Sequence, residues 1–210
     1  MRESVGQNRV WGSGNSNGRT GGQQMEFRNI EKVHEGKFIT RYDLTYQMAN
    51  GEEKVYEMIS RSRDLDSYEK LAHSPVDAVV LIMHDESGER ILLNREFRMA
   101  TGNPVYNFPA GLIEPGEDPE ESARRELFEE TGLSLVRIDD WIHESYSAVG
   151  FSNEKNVCAV GVAEGAVVQD TDPTEEIEAA WYTKEEVREL LKKYPFAART
   201  QAYCYVWSKQ

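Results

Sequence analysis

Apolar positions along the chain follow two periods, and their alternation lays out the elements. Residues 38–47 and 54–59 are rich in β-branched and aromatic side chains. Asn50-Gly51 lies between them and tolerates positive φ at both positions, which predicts a hairpin within residues 37–60. Residues 76–83 contain the nearly unbroken apolar run DAVVLIM, the pattern of a strand covered on both faces. A polar turn at 85–88 leads to a returning strand over 90–97, and a short strand over 105–108 is stopped by Pro109. Residues 111–118 read as a loop of Gly, Pro and acidic residues. The period then changes to helical. Asp118 suits an N-cap, Pro119 the first helical position and Glu121 the capping-box partner, while Gly132 supplies the stop. Strands are expected over 136–146 and 156–163. A second capping box, Thr183 with Glu186, opens a helix that Pro195 closes, and a short helix over 200–208 ends the chain. Strands, one central helix, more strands and further helices together predict an α+β domain with helices packed on a mixed sheet.

Residues 1–25 show no apolar period and no secretory h-region, and TGGQQM at 20–25 resembles part of an expression epitope tag. They are expected to be a tag-derived or disordered leader, with a single domain over 26–210. The 210 residues carry 24 Lys plus Arg against 37 Asp plus Glu, a net charge of −13. That acidity argues against a nonspecific grip on nucleic acid, although a metal can supply the positive charge that a phosphate substrate needs. No apolar run is long enough to cross a bilayer. The two cysteines, Cys158 and Cys204, offer no disulfide framework or metal motif, which fits a reduced, cytoplasmic domain.

The chemistry concentrates in residues 111–133, GLIEPGEDPEESARRELFEETGL. On a helix Glu126, Glu129 and Glu130 fall on one face, with Cβ atoms about 5–6 Å apart. Like charges so spaced repel. The cluster becomes favourable when a hard divalent cation, Mg²⁺ or Mn²⁺, sits among the carboxylates. Arg125, four positions from both Glu121 and Glu129, is placed to orient or partly neutralise them. The opposite face, through Ala123, Leu127 and Phe128, is expected to pack on the sheet. Taken alone, three glutamates on a helix are more often a solvated surface.

The spacing changes that weighting. Gly111, Glu117, Arg125, Glu126, Leu127, Glu129, Glu130, Gly132 and Leu133 match every fixed position of the Nudix box, G-x5-E-x7-R-E-U-x-E-E-x-G-U with U a large aliphatic. The chain therefore resembles the Nudix hydrolases over roughly 27–210. The resemblance implies an α/β/α sandwich with a mixed sheet, and metal held by Glu126, Glu129 and Glu130. It also implies that Arg125 fixes the glutamates and Glu117 braces the loop, with Gly111 and Gly132 structural. The implied reaction is attack of water on the diphosphate of a nucleoside diphosphate linked to another group.

Further runs resemble the ADP-ribose pyrophosphatase branch. These are the N-terminal hairpin; Arg95-Glu96-Phe97-Arg98, whose arginines suit phosphate and base contact; Asn107-Phe108-Pro109-Ala110-Gly111; and Gly150-Phe151-Ser152-Asn153-Glu154. The resemblance makes the Ala110 carbonyl a metal ligand and Gly111 and Glu154 substrate-binding residues. It puts the general base on the acidic loop 170–178, at Glu175 or Glu176, with Glu154 behind them. It further implies a homodimer acting on a small nucleoside diphosphate derivative, ADP-ribose first among them. Val149 stands where the branch has proline, so other nucleotide sugars stay open. A non-catalytic nucleotide sensor is disfavoured by the intact box. No G-x-S-x-G elbow occurs, Glu117 stands where a phosphate loop needs Lys, and the four histidines lack paired ligand spacing.

Overall fold

The computed structural model describes residues 25–168 and 176–210. The readings for residues 1–24 and for Glu175 lie outside them. Ten strands and four helices run in the order β1 (Glu26–Glu35), β2 (Thr40–Gln47), β3 (Glu53–Ser60), α1 (Tyr68–Ala72), β4 (Ala78–His84), β5 (Arg90–Arg98), β6 (Asn103–Asn107), β7 (Ala110–Leu112), α2 (Pro119–Thr131), β8 (Ser134–Tyr146), β9 (Lys155–Glu164), β10 (Ile177–Thr183), α3 (Lys184–Lys193) and α4 (Ala198–Trp207).

The central sheet has the order β10-β5-β4-β9-β8, with β6 added to β5 and β7 to β4. β4 and β9 are parallel and the other pairs antiparallel, so the sheet is mixed. β4 shows why its run is unbroken. Val79, Leu81 and Met83 face a core built with Ala123 and Leu127 of α2. Val80 and Ile82 face a second core with Val187 of α3 and Cys204 and Trp207 of α4. Helices on both faces make the expected α/β/α sandwich. Each fully buried aliphatic contributes about 1.5–3 kcal/mol, so these two layers carry most of the stability.

β4 and β5 pair directly only at His84↔Ile91 and then diverge. Beyond that point β6 lines β5 from Asn94 to Arg98, and β7 lines β4 from Ala78 to Val80. The sheet therefore forks, and the C-terminal half of α2 sits where the arms separate.

The N-terminal hairpin is part of a three-stranded antiparallel sheet, β1-β2-β3, with its own core of Tyr42, Leu44, Met58 and Leu65. β1 escaped prediction because EFRNIEKVHE is mostly polar, and only Phe27 and Ile30 reach that core. This sheet docks through the 148–154 loop: Ile59 N–H donates to the Phe151 carbonyl at 2.8 Å, Tyr56 Oη to the Gly150 carbonyl, and Arg61 to Glu154. α4 begins before Thr200, because the Thr200 hydroxyl accepts from Phe108 N–H and donates to Asn107 Oδ1 instead of capping. No helix among the described residues is long and apolar enough to cross a membrane.

Candidate active site

α2 is set by its ends. Asp118 accepts from the N–H groups of Glu120 and Glu121, both at 2.9 Å, and Glu121 accepts from Asp118 N–H at 3.1 Å. Such a cap is worth about 1 kcal/mol. Gly132 closes the helix at φ 72°, where a side chain would also collide with Val168. Ala123 and Leu127 are fully buried, as expected, whereas Phe128 points outward at 62% exposure. The helix phase that buries Leu127 turns its neighbour away.

Arg125 organises one half of the cluster. Its Nε and Nη2 hold the two Glu117 oxygens, each at 2.9 Å, and Nη1 reaches Glu126 Oε1 at 2.7 Å and Glu129 Oε2 at 3.1 Å. Nη2 also donates to the Leu112 carbonyl at 3.0 Å, pinning the helix to β7. Ser122 gives Glu117 a further bond at 2.6 Å. These donors hold the Glu117 carboxyl down at about 2 and raise the Arg125 guanidinium further, so the bracing pair is ionised throughout the physiological range.

β7 organises the other half. Leu81 N–H donates to the Pro109 carbonyl and Ile113 N–H to the Asp77 carbonyl. The groups of 109, 111 and 113 therefore face β4, and those of Ala110 and Leu112 face away, toward α2. Ala110 N–H meets the Glu130 carboxylate. Beside it, a Cβ on Gly111 would lie 1.8 Å from Glu126 Cδ. Glycine is required here because the carboxylate rests directly on the backbone. Glu126 and Glu130 thus flank Ala110, whose carbonyl projects from the same edge.

Glu130 is bound by Asn94 Nδ2 at 2.7 Å. Burial, then the neighbouring Glu126 and Glu96 charges, push its carboxyl up to about 8. Burial also raises Glu126, against the pull of Arg125. Two carboxyls raised side by side lack sufficient positive charge. Among the described residues no three acidic, imidazole or thiol side chains converge as a finished ion cage, because Arg125 holds Glu126 and Glu129. The donor set of Ala110 carbonyl, Glu126 and Glu130 nevertheless suits Mg²⁺ or Mn²⁺, which take few protein oxygens and keep waters.

The remaining candidates are more dispersed. Along β5, Leu92 belongs to the α2 core and Leu93 to the opposite one. By strand alternation Asn94, Glu96 and Arg98 share the α2 face and Arg95 lies on the other. Arg98 pairs with Glu96, and Arg95 with Glu178 at 3.1 Å. Glu176 is exposed, and its carbonyl accepts from Phe97 N–H at 3.1 Å. Glu154 bonds to Arg61 at 2.5 Å, and no hydrogen bond or ion pair among the described residues joins it to α2. Sequence reasoning missed Asn94, whose only signal is an amide interrupting the apolar pattern of β5.

A NUDIX domain model matches residues 74–204. The ADP-ribose pyrophosphatase of Bacillus subtilis (strain 168) is 28% identical over 166 residues, covering 77% of this chain and 80% of that protein. The ADP-ribose pyrophosphatase of Saccharomyces cerevisiae is 30% identical over 142 residues, covering 66% of this chain and 58% of that protein. The NAD-capped RNA hydrolase NUDT12 of Macaca fascicularis is 31% identical over 167 residues, 73% of this chain and 34% of that protein. A crystal structure of an ADP compounds hydrolase matches at TM-score 0.69 and 21% identity, covering 91% of this chain and 95% of that one, a likeness of fold. A matched domain that spans the box, glutamates seated on the β7 edge and pyrophosphatase relatives agree: this chain is a member of the Nudix hydrolase family.

Proposed function

We propose that the chain cleaves the diphosphate of ADP-ribose to AMP and ribose 5-phosphate in a reaction dependent on Mg²⁺ or Mn²⁺. The observation that carries this reading is the row formed by the Ala110 carbonyl, Glu126 and Glu130 on the β7 edge. A divalent cation bound there supplies charge neutralisation at the diphosphate oxygens and a more acidic attacking water. Ala110, Glu126, Glu129 and Glu130 are the residues that would hold it. Arg125 keeps Glu126 oriented and offsets the like charges of Glu117 and Glu129. Phosphoryl transfer asks mainly for such positioning.

Arg98, on the α2 face, is proposed to meet the phosphates, and Arg95, Gly111 and Glu154 to contact the substrate elsewhere. Arg95 now faces the exposed Glu178 in a pair worth about 0–1 kcal/mol and Arg98 the partly buried Glu96, and each can exchange its carboxylate for a phosphate oxygen of the substrate. Glu175 or Glu176 is proposed to take the proton as the water oxygen bonds to phosphorus and the bridging P–O bond breaks. The anchoring of Glu176 to Phe97 supports its reach toward this end of β5. The working form is proposed to be a homodimer.

A second reading, another nucleotide sugar or a dinucleotide, is favoured by Val149 in place of the branch proline. A panel of ADP-ribose, UDP-glucose and NAD, run with Mg²⁺, Mn²⁺ or EDTA and read by chromatography, separates them. The expected outcome is the highest kcat/KM on ADP-ribose, with AMP released and no release in EDTA. Preference for another substrate moves the assignment to it, and no turnover of any substrate supports the sensor reading.

A further inference from the structure

We propose that Asn94 is a positioning residue for this reaction, holding Glu130 by one oxygen and presenting its own free amide oxygen to water at the metal site. The inference rests on the metal-dependent reading above. Asn94 follows Leu92 on the α2 face of β5, where the apolar pattern calls for another hydrophobic side chain. An amide stands there instead, at 2% exposure. Its Nδ2 donates to Glu130 Oε2 at 2.7 Å, while Oδ1 is buried and has no hydrogen-bond partner among the described residues. Buried polar atoms without partners are rare in native folds, and such an orphan calls for a function or an absent ligand.

The neutrality of the donor matters. No Lys or Arg among the described residues pairs with Glu130, because Arg125 is committed to Glu117, Glu126 and Glu129. A cationic donor at position 94 would satisfy Glu130 and leave little negative charge for an ion. An amide fixes one carboxylate oxygen and its rotamer without cancelling the charge. Partners of this kind, one step removed from a metal, set ligand geometry and affinity. Oδ1 cannot accept a proton from an ionised Glu130. It is an acceptor suited to water, which a hard cation retains in quantity.

The test compares Mn²⁺ binding by electron paramagnetic resonance in wild type, Asn94→Val and Asn94→Ala, alongside kcat and KM for ADP-ribose and the melting temperature in EDTA. Asn94→Val removes both amide groups and fills the space with an apolar side chain. The expected result is Mn²⁺ affinity weakened about tenfold in both variants, with the metal-free melting temperature of Asn94→Val equal to or above wild type. At subsaturating Mn²⁺ kcat falls with KM nearly unchanged, and excess Mn²⁺ restores most of it. A purely structural role would lower the melting temperature and leave Mn²⁺ affinity untouched. Affinity within twofold of wild type in whichever variant folds overturns the proposal while the metal-dependent reading stands. Failure of the wild type itself to bind Mn²⁺ overturns both.

Discussion

Replacing Gly111 with alanine adds one methyl group at the most crowded point of the site. Its Cβ would lie 1.8 Å from Glu126 Cδ and 2.1 Å from each carboxylate oxygen. Carbon atoms rest about 3.5–4.0 Å apart, so something must move by roughly 2 Å. Backbone strain is not the obstacle, since Gly111 is not among the glycines of positive φ. β7 is fixed to β4 through Val79↔Gly111, whereas Glu126 ends a flexible side chain, so the carboxylate is the part that yields. It then loses its 2.7 Å bond to Arg125 and its place beside Ala110. Disturbing residues that merely support metal ligands costs about 10–100-fold in affinity or activity. Moving a ligand itself should lower kcat/KM by about 100-fold, or about 2.7 kcal/mol of transition-state stabilisation. The folding cost is smaller, about 1–3 kcal/mol for overpacking. Initial rates on ADP-ribose over a Mg²⁺ series, with melting curves in EDTA, separate the two effects. A Gly111→Ala protein with kcat/KM within threefold of wild type and unchanged Mg²⁺ dependence would refute the seating of Glu126 on the backbone.

Glu130→Gln should cut turnover by orders of magnitude, whereas Glu120→Gln, which loses only an exposed pair with Arg124, should leave it nearly unchanged. The pH dependence carries a definite sign. Burial raises Glu130 to about 8 in the folded state from an ordinary 4.5, so the proton favours the fold. The Glu130 contribution to metal-free stability should be full below about pH 4.5 and be lost as pH rises toward 8, a decline that melting curves in EDTA should find weakened in Glu130→Gln. Because an ion needs the ionised carboxylate, the thermal shift produced by Mg²⁺ should grow over the same interval. Arg125→Ala should leave Glu117, Glu126 and Glu129 without their shared cation. It should lower both activity and melting temperature, and the Glu117 carboxyl should rise from about 2, as carboxyl NMR titration would read. Leu127→Ala, at a fully buried position, should destabilise the fold by about 2–5 kcal/mol in chemical denaturation, while Phe128→Ser should change it little.

The helix α2 was legible because local rules converge on it. Asp118, Pro119, Glu121 and Gly132 mark its ends, and the box spacing selects its chemistry. β4 was legible for the opposite reason, since a strand buried on both faces leaves no polar gap. β1 was hidden by charges that its exposed position tolerates. β10 was hidden because IEAAWYT continues an acidic run and becomes a strand only by pairing with β5. β7 read as loop, since three residues carry no period. The most consequential omission follows from tertiary structure. Glu130 was expected on an exposed face, but the fork between β5 and β7 closes around it, bringing Asn94 from a strand far away in sequence. No spacing rule encodes that approach.

The central claim is that Ala110, Glu126 and Glu130 hold a divalent cation against the β7 edge. Anomalous diffraction from crystals grown with Mn²⁺ tests it most directly. A peak is expected about 2.0–2.3 Å from a Glu126 oxygen, a Glu130 oxygen and the Ala110 carbonyl. Saturating Mn²⁺ with no peak there, and Arg125 still bridging Glu126 and Glu129, would contradict it.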